Sequence, residues 1–198
     1  MLLALAAKVQ AGLRVRGIPT SRETAEVARR SGIPLVQGSP DWDGVCPIDV
    51  AIDGADQVDP HLNLIKGGGG ALLKEKIVAS AARQLIVVVD QSKQVPVLGG
   101  AMPLPIEVVC FGWTATARAI EALGGKTKLR ERDGRPFLTE AGHYIVDFSV
   151  DRIDDPAALQ TELILIPGVV ETGLFVDRTS LLLVGTAHGV QRREPGTP

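Results

Sequence analysis

The stretch that decides the fold is IDVAIDGADQVDPHLNLIKGGGGALLKEKIVASAARQLIVVVDQSK, Ile48 to Lys93. Ile48–Ile52 alternates apolar and polar residues between turn formers and reads as a strand, with Asp53-Gly54-Ala55-Asp56 as its C-terminal turn. Gly67–Gly70 would cost too much backbone entropy inside a helix or strand, so it is a tight turn. It opens onto ALLKEKIVASAAR, Ala71–Arg83, a strong helix, and then LIVVV, Leu85–Val89. An apolar run of that kind suits a strand buried on both faces of a parallel sheet. Strand, turn, helix, strand is a βαβ progression, in which ligands bind at the carboxyl ends of the strands. Asp53, Asp56, Lys66, Glu75, Asp90 and Lys93 all fall at such ends or in first turns.

Outward from this stretch the pattern is α/β on the N-terminal side. Residues 1–12 have apolar positions at helical spacing, Leu13–Ile18 alternates as a short strand, and Thr20 with Glu23 has capping-box spacing for a helix through Ser31, closed by Gly32. Pro34–Val36 is extended, and residues 37–47 are turn-rich. Pro96, Gly99, Gly100, Pro103 and Pro105 form a breaker-rich boundary. Beyond it the expected elements are strands at Ile106–Val109, Lys126–Arg130, Tyr144–Phe148 and Val169–Phe175. Helices are expected at Thr114–Leu123 and Pro156–Leu165, with a hairpin turn at Asp133-Gly134. Leu181–Val184 is another pure apolar strand, suited to return to the first sheet, and the tail RREPGTP reads as frayed. The expected architecture is a doubly wound, mostly parallel, Rossmann-like sheet formed by residues 1–102 plus 179–198, with a smaller α+β domain at 103–178.

Composition excludes several classes. The 198 residues are 45% hydrophobic and 22% charged with a formal net charge of −2, which argues against nucleic acid or an anionic membrane as partner. Aromatics, at 4%, are too few for a base-stacking surface. No apolar run reaches the roughly 20 residues of a membrane span. The apolar start MLLALAAKVQ has no basic region before it and makes a poor signal peptide, so a cytoplasmic protein is expected. Cys46 and Cys110 match no metal or redox spacing and read as two buried thiols, and His61, His143 and His188 are scattered. No metal or cofactor is expected. Gly67–Gly70 lacks both the dinucleotide fingerprint and a Gly-Lys-Ser/Thr, so neither NAD nor a nucleoside triphosphate is indicated.

Glu75 lies early in a helix whose bare N–H groups and dipole favour anions. Asp53 and Asp56 suit turn chemistry, and equally the binding of sugar hydroxyls or proton movement; spacing leaves these open. Lys66 sits at a rim where a cation can offset a developing oxyanion, and Lys93 is positioned as an anion ligand. Together they indicate a small anionic ligand held by carboxylates and lysines, and they name no reaction.

Asp53 to Ala79, DGADQVDPHLNLIKGGGGALLKEKIVA, resembles the signature of the ribose-5-phosphate isomerase A family. GIPTS, VVVDQSKQV, MPLPIEVV, ALGG, IPGVVETGLF and LLLVGTAHGV follow in that family's order across nearly the whole chain, with Gln57 where Glu is usual. The resemblance implies a metal-independent aldose–ketose isomerase of the non-oxidative pentose phosphate pathway. It would interconvert D-ribose 5-phosphate and D-ribulose 5-phosphate through an enediolate, as a homodimer or homotetramer. It implies Glu75 as base, Asp53 and Asp56 for ring opening and hydroxyl binding, and Lys66 for substrate binding and charge compensation. Gly67, Gly68 and Lys93 would complete the substrate contacts. The family's G-x-G-T-G-S-T phosphate turn does not occur in this sequence, and residues 1–12 correspond to the helix that follows it. The expectation is therefore a truncated isomerase, short of about one strand and one loop. Its proton-transfer residues would be intact, and Lys93 would carry much of the phosphate binding. The alternatives are an inactive truncated isomerase, a non-catalytic sugar-phosphate sensor and, more weakly, an acyl-CoA transferase.

Overall fold

The computed structural model describes residues 2–36 and 47–196; Cys46 and most of the turn-rich segment 37–47 lie outside them. The chain divides into two units, residues 1–48 and 49–198.

The first unit is a helical pair, α1 (Leu2–Gln10) and α2 (Arg22–Arg30). It closes over Ala6, Ala28 and Ile33, with Leu2, Leu5, Val9 and Leu35 packed around them. The N-cap of α2 is Ser21 rather than Thr20: its side chain accepts from Thr24 N at 3.1 Å. Leu13–Ile18 is not a strand. Among the described residues it makes a single bridge, Gly17 to Leu35.

The second unit begins with β1 (Ala51–Asp53), shorter than expected because its ladder starts where Ala51 meets Leu85. Two short strands that sequence reading passed over, β2 (Gln57–Val58) and β3 (Leu64–Ile65), fold back on each other before the glycine turn. Then come α3 (Leu72–Ala81), β4 (Leu85–Asp90) and a 3-10 turn at Gln91–Lys93. The helix α3 buries Leu72, Lys76 and Ala79, the i, i+4, i+7 stripe of an amphipathic helix. After it lie β5 (Leu104–Val108), α4 (Trp113–Glu121), β6 (Lys126–Leu129), β7 (Glu131–Arg132), β8 (Arg135–Pro136) and β9 (Tyr144–Ser149). Positive φ at Asp133 and Gly134 makes the β7–β8 turn the expected hairpin. The helix α5 (Pro156–Ile164) carries Pro156 in its first turn, and its Asp155 cap accepts from Ala158 N at 2.9 Å. The chain closes with β10 (Val169–Thr172), β11 (Leu174–Phe175), β12 (Leu181–Thr186) and β13 (Gly189–Arg193).

The fold is α/β. One sheet runs β1-β4-β12-β13, parallel except at β13. The tail was not frayed at its start: Arg192 and Arg193 pair with Leu183 and Leu182. Leu85, Val87 and Val89 are buried, whereas Val88 is 37% exposed, so β4 is packed fully on one face only. A second, antiparallel sheet runs β10-β5-β9-β6. The segment expected as one strand, Val169–Phe175, divides at Gly173 between two sheets, β10 going to β5 and β11 to β3. A Cβ on Gly173 would lie 2.3 Å from the Lys66 carbonyl oxygen, so only glycine lets the chain cross there. The β11-β3-β2 sheet separates two cores. Leu64 and Phe175 face the core of the parallel sheet, and Ile65 and Leu174 face that of the antiparallel sheet, as strand alternation requires. All four are completely buried, contributing about 1.5–3 kcal/mol each. The next residue after β3 is Lys66, which both cores therefore hold in place.

Candidate active site

Strand and helix ends converge on a cavity of about 220 Å³ lined by Asp53, Gly54, Ala55, Asp56, Lys66, Gly67, Gly68, Gly69, Glu75 and Lys93. Every residue that sequence reading singled out as catalytic or substrate-binding is in this wall. Asp90, expected on the same rim, is not in this wall and instead caps the 3-10 turn by accepting from Ser92 N at 2.8 Å. The volume suits a small ligand rather than a dinucleotide.

Lys66 is the hub. Only 4% exposed, its Nζ donates to the Gly54 carbonyl at 2.6 Å and lies 2.9 Å from Asp53 Oδ2 and 3.2 Å from Glu75 Oε2. Burial alone would lower its pKa. The Glu75 and Asp53 carboxylates outweigh burial and hold it above the ordinary lysine value, so the ammonium is permanent near neutrality. Glu75 behaves in the opposite way for a carboxylate with a lysine partner. Burial pushes its pKa up, the charges of Asp53 and Asp56 push the same way, and Lys66 only partly offsets them. The Lys66 ammonium is the cation facing this buried oxygen, 3.2 Å from Oε2. A carboxylate with a raised pKa beside a fixed cation is equipped to take and return a proton.

The glycine turn is shaped by contacts on three sides. Gly67 and Gly70 have φ of +103° and +89°, and the Gly70 N–H closes the turn on the Gly67 carbonyl at 3.0 Å. A Cβ on Gly67 would meet Leu72 at 2.8 Å, and one on Gly68 would meet Asp56 Oδ1 at 2.8 Å. Asp56 is fixed by accepting from Gly68 N at 2.8 Å, and Asp53 by accepting from Gly54 N at 2.8 Å. Lys93 projects from the 3-10 turn after β4 and makes no ion pair among the described residues.

Some contributors were not anticipated. Phe175 lies beneath both Lys66 and Lys76, with the two ammonium groups 5.4 and 5.0 Å from its ring centre. Lys76 pins α3 to β10 by donating to Glu171 Oε1 at 2.6 Å and to the Thr172 carbonyl at 2.7 Å. The 72/76/79 spacing was the available signal that Lys76, among three successive charged residues, faces inward. Gln57 has a structural role: its side-chain amide donates to the Gly99 carbonyl and accepts from Gly99 N, both at 2.8 Å, a pairing that needs an amide. Cys110 is half-buried rather than buried, its Sγ donating to the Gly142 carbonyl at 3.4 Å. Among the described residues no three His, Cys, Asp or Glu side chains are placed to hold a metal, and no helix is long and apolar enough to cross a membrane.

Carboxylates around a buried lysine at the carboxyl ends of parallel strands define a Rossmann-like α/β protein with an acid–base site. The family model for ribose 5-phosphate isomerase A (phosphoriboisomerase A) matches residues 16–189, and the chain belongs to that family. It is 48% identical over 183 residues to the ribose-5-phosphate isomerase A of Thermococcus kodakarensis, covering 91% of this chain and 78% of that protein. The corresponding enzyme of Rhodopseudomonas palustris is 50% identical over 194 residues, with 94% and 78% covered. Among solved structures, a D-ribose-5-phosphate isomerase in complex with phospho-erythronic acid superposes with a TM-score of 0.91 at 40% identity, covering 98% of this chain and 84% of that one. The Methanocaldococcus jannaschii enzyme superposes with a TM-score of 0.89 at 38% identity, with 98% and 84% covered.

Proposed function

We propose that this chain interconverts D-ribose 5-phosphate and D-ribulose 5-phosphate, with Glu75 as the base. The observation that carries the reading is a buried Glu75 whose Oε2 faces the Lys66 ammonium at 3.2 Å in the wall of the cavity. Family membership supplies the substrate. In the open-chain aldose, Glu75 takes the C2 proton, and the C2–H electron pair forms the C1=C2 bond of an enediolate. The C1=O1 π pair moves onto O1, which gains the proton that O2 gives up; the O2 electron pair then forms the C2=O2 bond as the C1=C2 pair takes the proton back from Glu75 at C1. Lys66 offsets the enediolate charge. Asp53 and Asp56 hold hydroxyls and move protons during ring opening, and Gly67 and Gly68 line the sugar. Lys93, at the cavity wall, takes the phosphate.

A sugar-phosphate sensor would have no use for a base kept desolvated. We further propose a cytoplasmic homodimer or homotetramer, with residues 1–102 plus 179–198 as catalytic domain and 103–178 as the smaller α+β domain. The test is isomerisation in D₂O. Glu75 returns part of the C2 proton directly and exchanges the rest with solvent, so over many reversible turnovers deuterium should accumulate at C1 of ribulose 5-phosphate and at C2 of recovered ribose 5-phosphate. Full retention of protium after prolonged equilibration, as a hydride shift gives, would contradict the enediolate.

A further inference from the structure

We infer that Arg130 and Asp147 are positioning residues that hold Asp56 through the Gly67–Gly68 peptide; the inference rests on the isomerase reading above. Arg130 follows β6, and Asp147 lies on β9, the strand flanked by β5 and β6. The pair is 16% and 19% exposed, with Nε donating to Oδ2 at 3.0 Å and Nη2 to Oδ1 at 2.5 Å. That bidentate contact fixes the guanidinium plane. Nη1 then donates to two successive carbonyls of the glycine turn, Gly67 at 2.8 Å and Gly68 at 3.1 Å. Four of the five guanidinium N–H groups are thus engaged, and half of those serve the turn. A surface ion pair alone would not need this second set.

A trans peptide holds its C=O and the following N–H in one plane, pointing in opposite directions. Fixing the Gly67 carbonyl from the Arg130 side therefore fixes the Gly68 N–H on the other, where it donates to Asp56 Oδ2 at 2.8 Å. The cation also polarises that peptide and strengthens the bond it gives to Asp56. The antiparallel sheet thereby sets one carboxylate of a cavity it does not itself line.

The experiment is a double-mutant cycle on the full chain: Arg130→Met, Arg130→Lys and Asp147→Asn, each alone and with Asp56→Asn. The Gly68 amide proton is followed by NMR in the same proteins. Arg130→Met is expected to lower kcat by about tenfold to a hundredfold. In the Asp56→Asn background it should cost no more than about a further twofold, since Asn leaves Gly68 N only a neutral, weaker acceptor in place of the carboxylate that the relay holds. The Gly68 resonance should move upfield in Arg130→Met and in Asp56→Asn. Fully multiplicative losses, or a Gly68 resonance unmoved by Arg130→Met, would overturn the inference. If Arg130→Met does not fold, Arg130→Lys, which cannot fork to Asp147 and both carbonyls, carries the same cycle. If the unsubstituted chain does not isomerise, the functional reading fails, and the Gly68 resonance still decides the relay.

Discussion

Replacing Lys66 by Met keeps the length of the stem against Phe175 and removes only the ammonium. The change deletes the 2.6 Å bond to the Gly54 carbonyl and the contacts to Asp53 at 2.9 Å and Glu75 at 3.2 Å. Removing one partner of a buried ion pair costs about 3–5 kcal/mol when the other must stay charged. Two escapes reduce that here: Asp53 is 32% exposed and reaches water, and Glu75 can take a proton. A net loss of about 2–3 kcal/mol is expected, which lowers Tm by about 4–12 °C for a chain of this size. The kinetic signature is more specific. Lys66 is the main influence lowering the Glu75 pKa, so without it burial and the Asp53 charge raise that pKa further. The acid limb of kcat/KM should move to higher pH. The plateau should fall by about 10²–10³, as when an oxyanion donor is lost. The assay is a pH–rate profile for ribulose 5-phosphate formation beside a thermal melt. An acid limb that stays in place, or moves to lower pH, would refute the electrostatic account of Glu75.

Folding stability should carry the same signature in the unsubstituted chain. Because Glu75 has a higher pKa folded than its ordinary 4.5, the folded state keeps a proton that the unfolded state releases. Its contribution is fully present below pH 4.5 and lost as pH rises through the folded value; in urea titrations Glu75→Gln should remove that decline, and an unchanged slope would contradict it. Gly70→Ala should cost about 1–3 kcal/mol, since φ is +89° and its Cβ would sit 2.5 Å from the Phe137 ring. In a Phe137→Ala background only the backbone share, about 1 kcal/mol, should remain in urea melts; an unchanged cost would place the strain elsewhere.

The site was legible because its parts are local. Asp53, Asp56, Lys66 and Glu75 lie within one 23-residue span, and the strand ends and the helix start that carry them have strong local signals. Ile48–Ile52 and Leu181–Val184 gave approximate strand positions through apolar pattern alone. What the pattern could not give was pairing. Gln57–Val58 and Leu64–Ile65 are two-residue strands, too short for any period to show. The division at Gly173 depends on the Lys66 carbonyl more than a hundred positions away. Arg130 is equally hidden, since its partners Gly67 and Gly68 lie 63 and 62 residues distant. Ser21 displaced Thr20 as cap because both suit the role and only geometry selects between neighbours.

The most direct test is turnover of ribose 5-phosphate to ribulose 5-phosphate by the purified chain in EDTA, with Glu75→Gln assayed beside it. Turnover that the substitution abolishes in a protein still folded is the expected result. A Glu75→Gln chain as active as the parent, or a folded parent without turnover, would contradict the account.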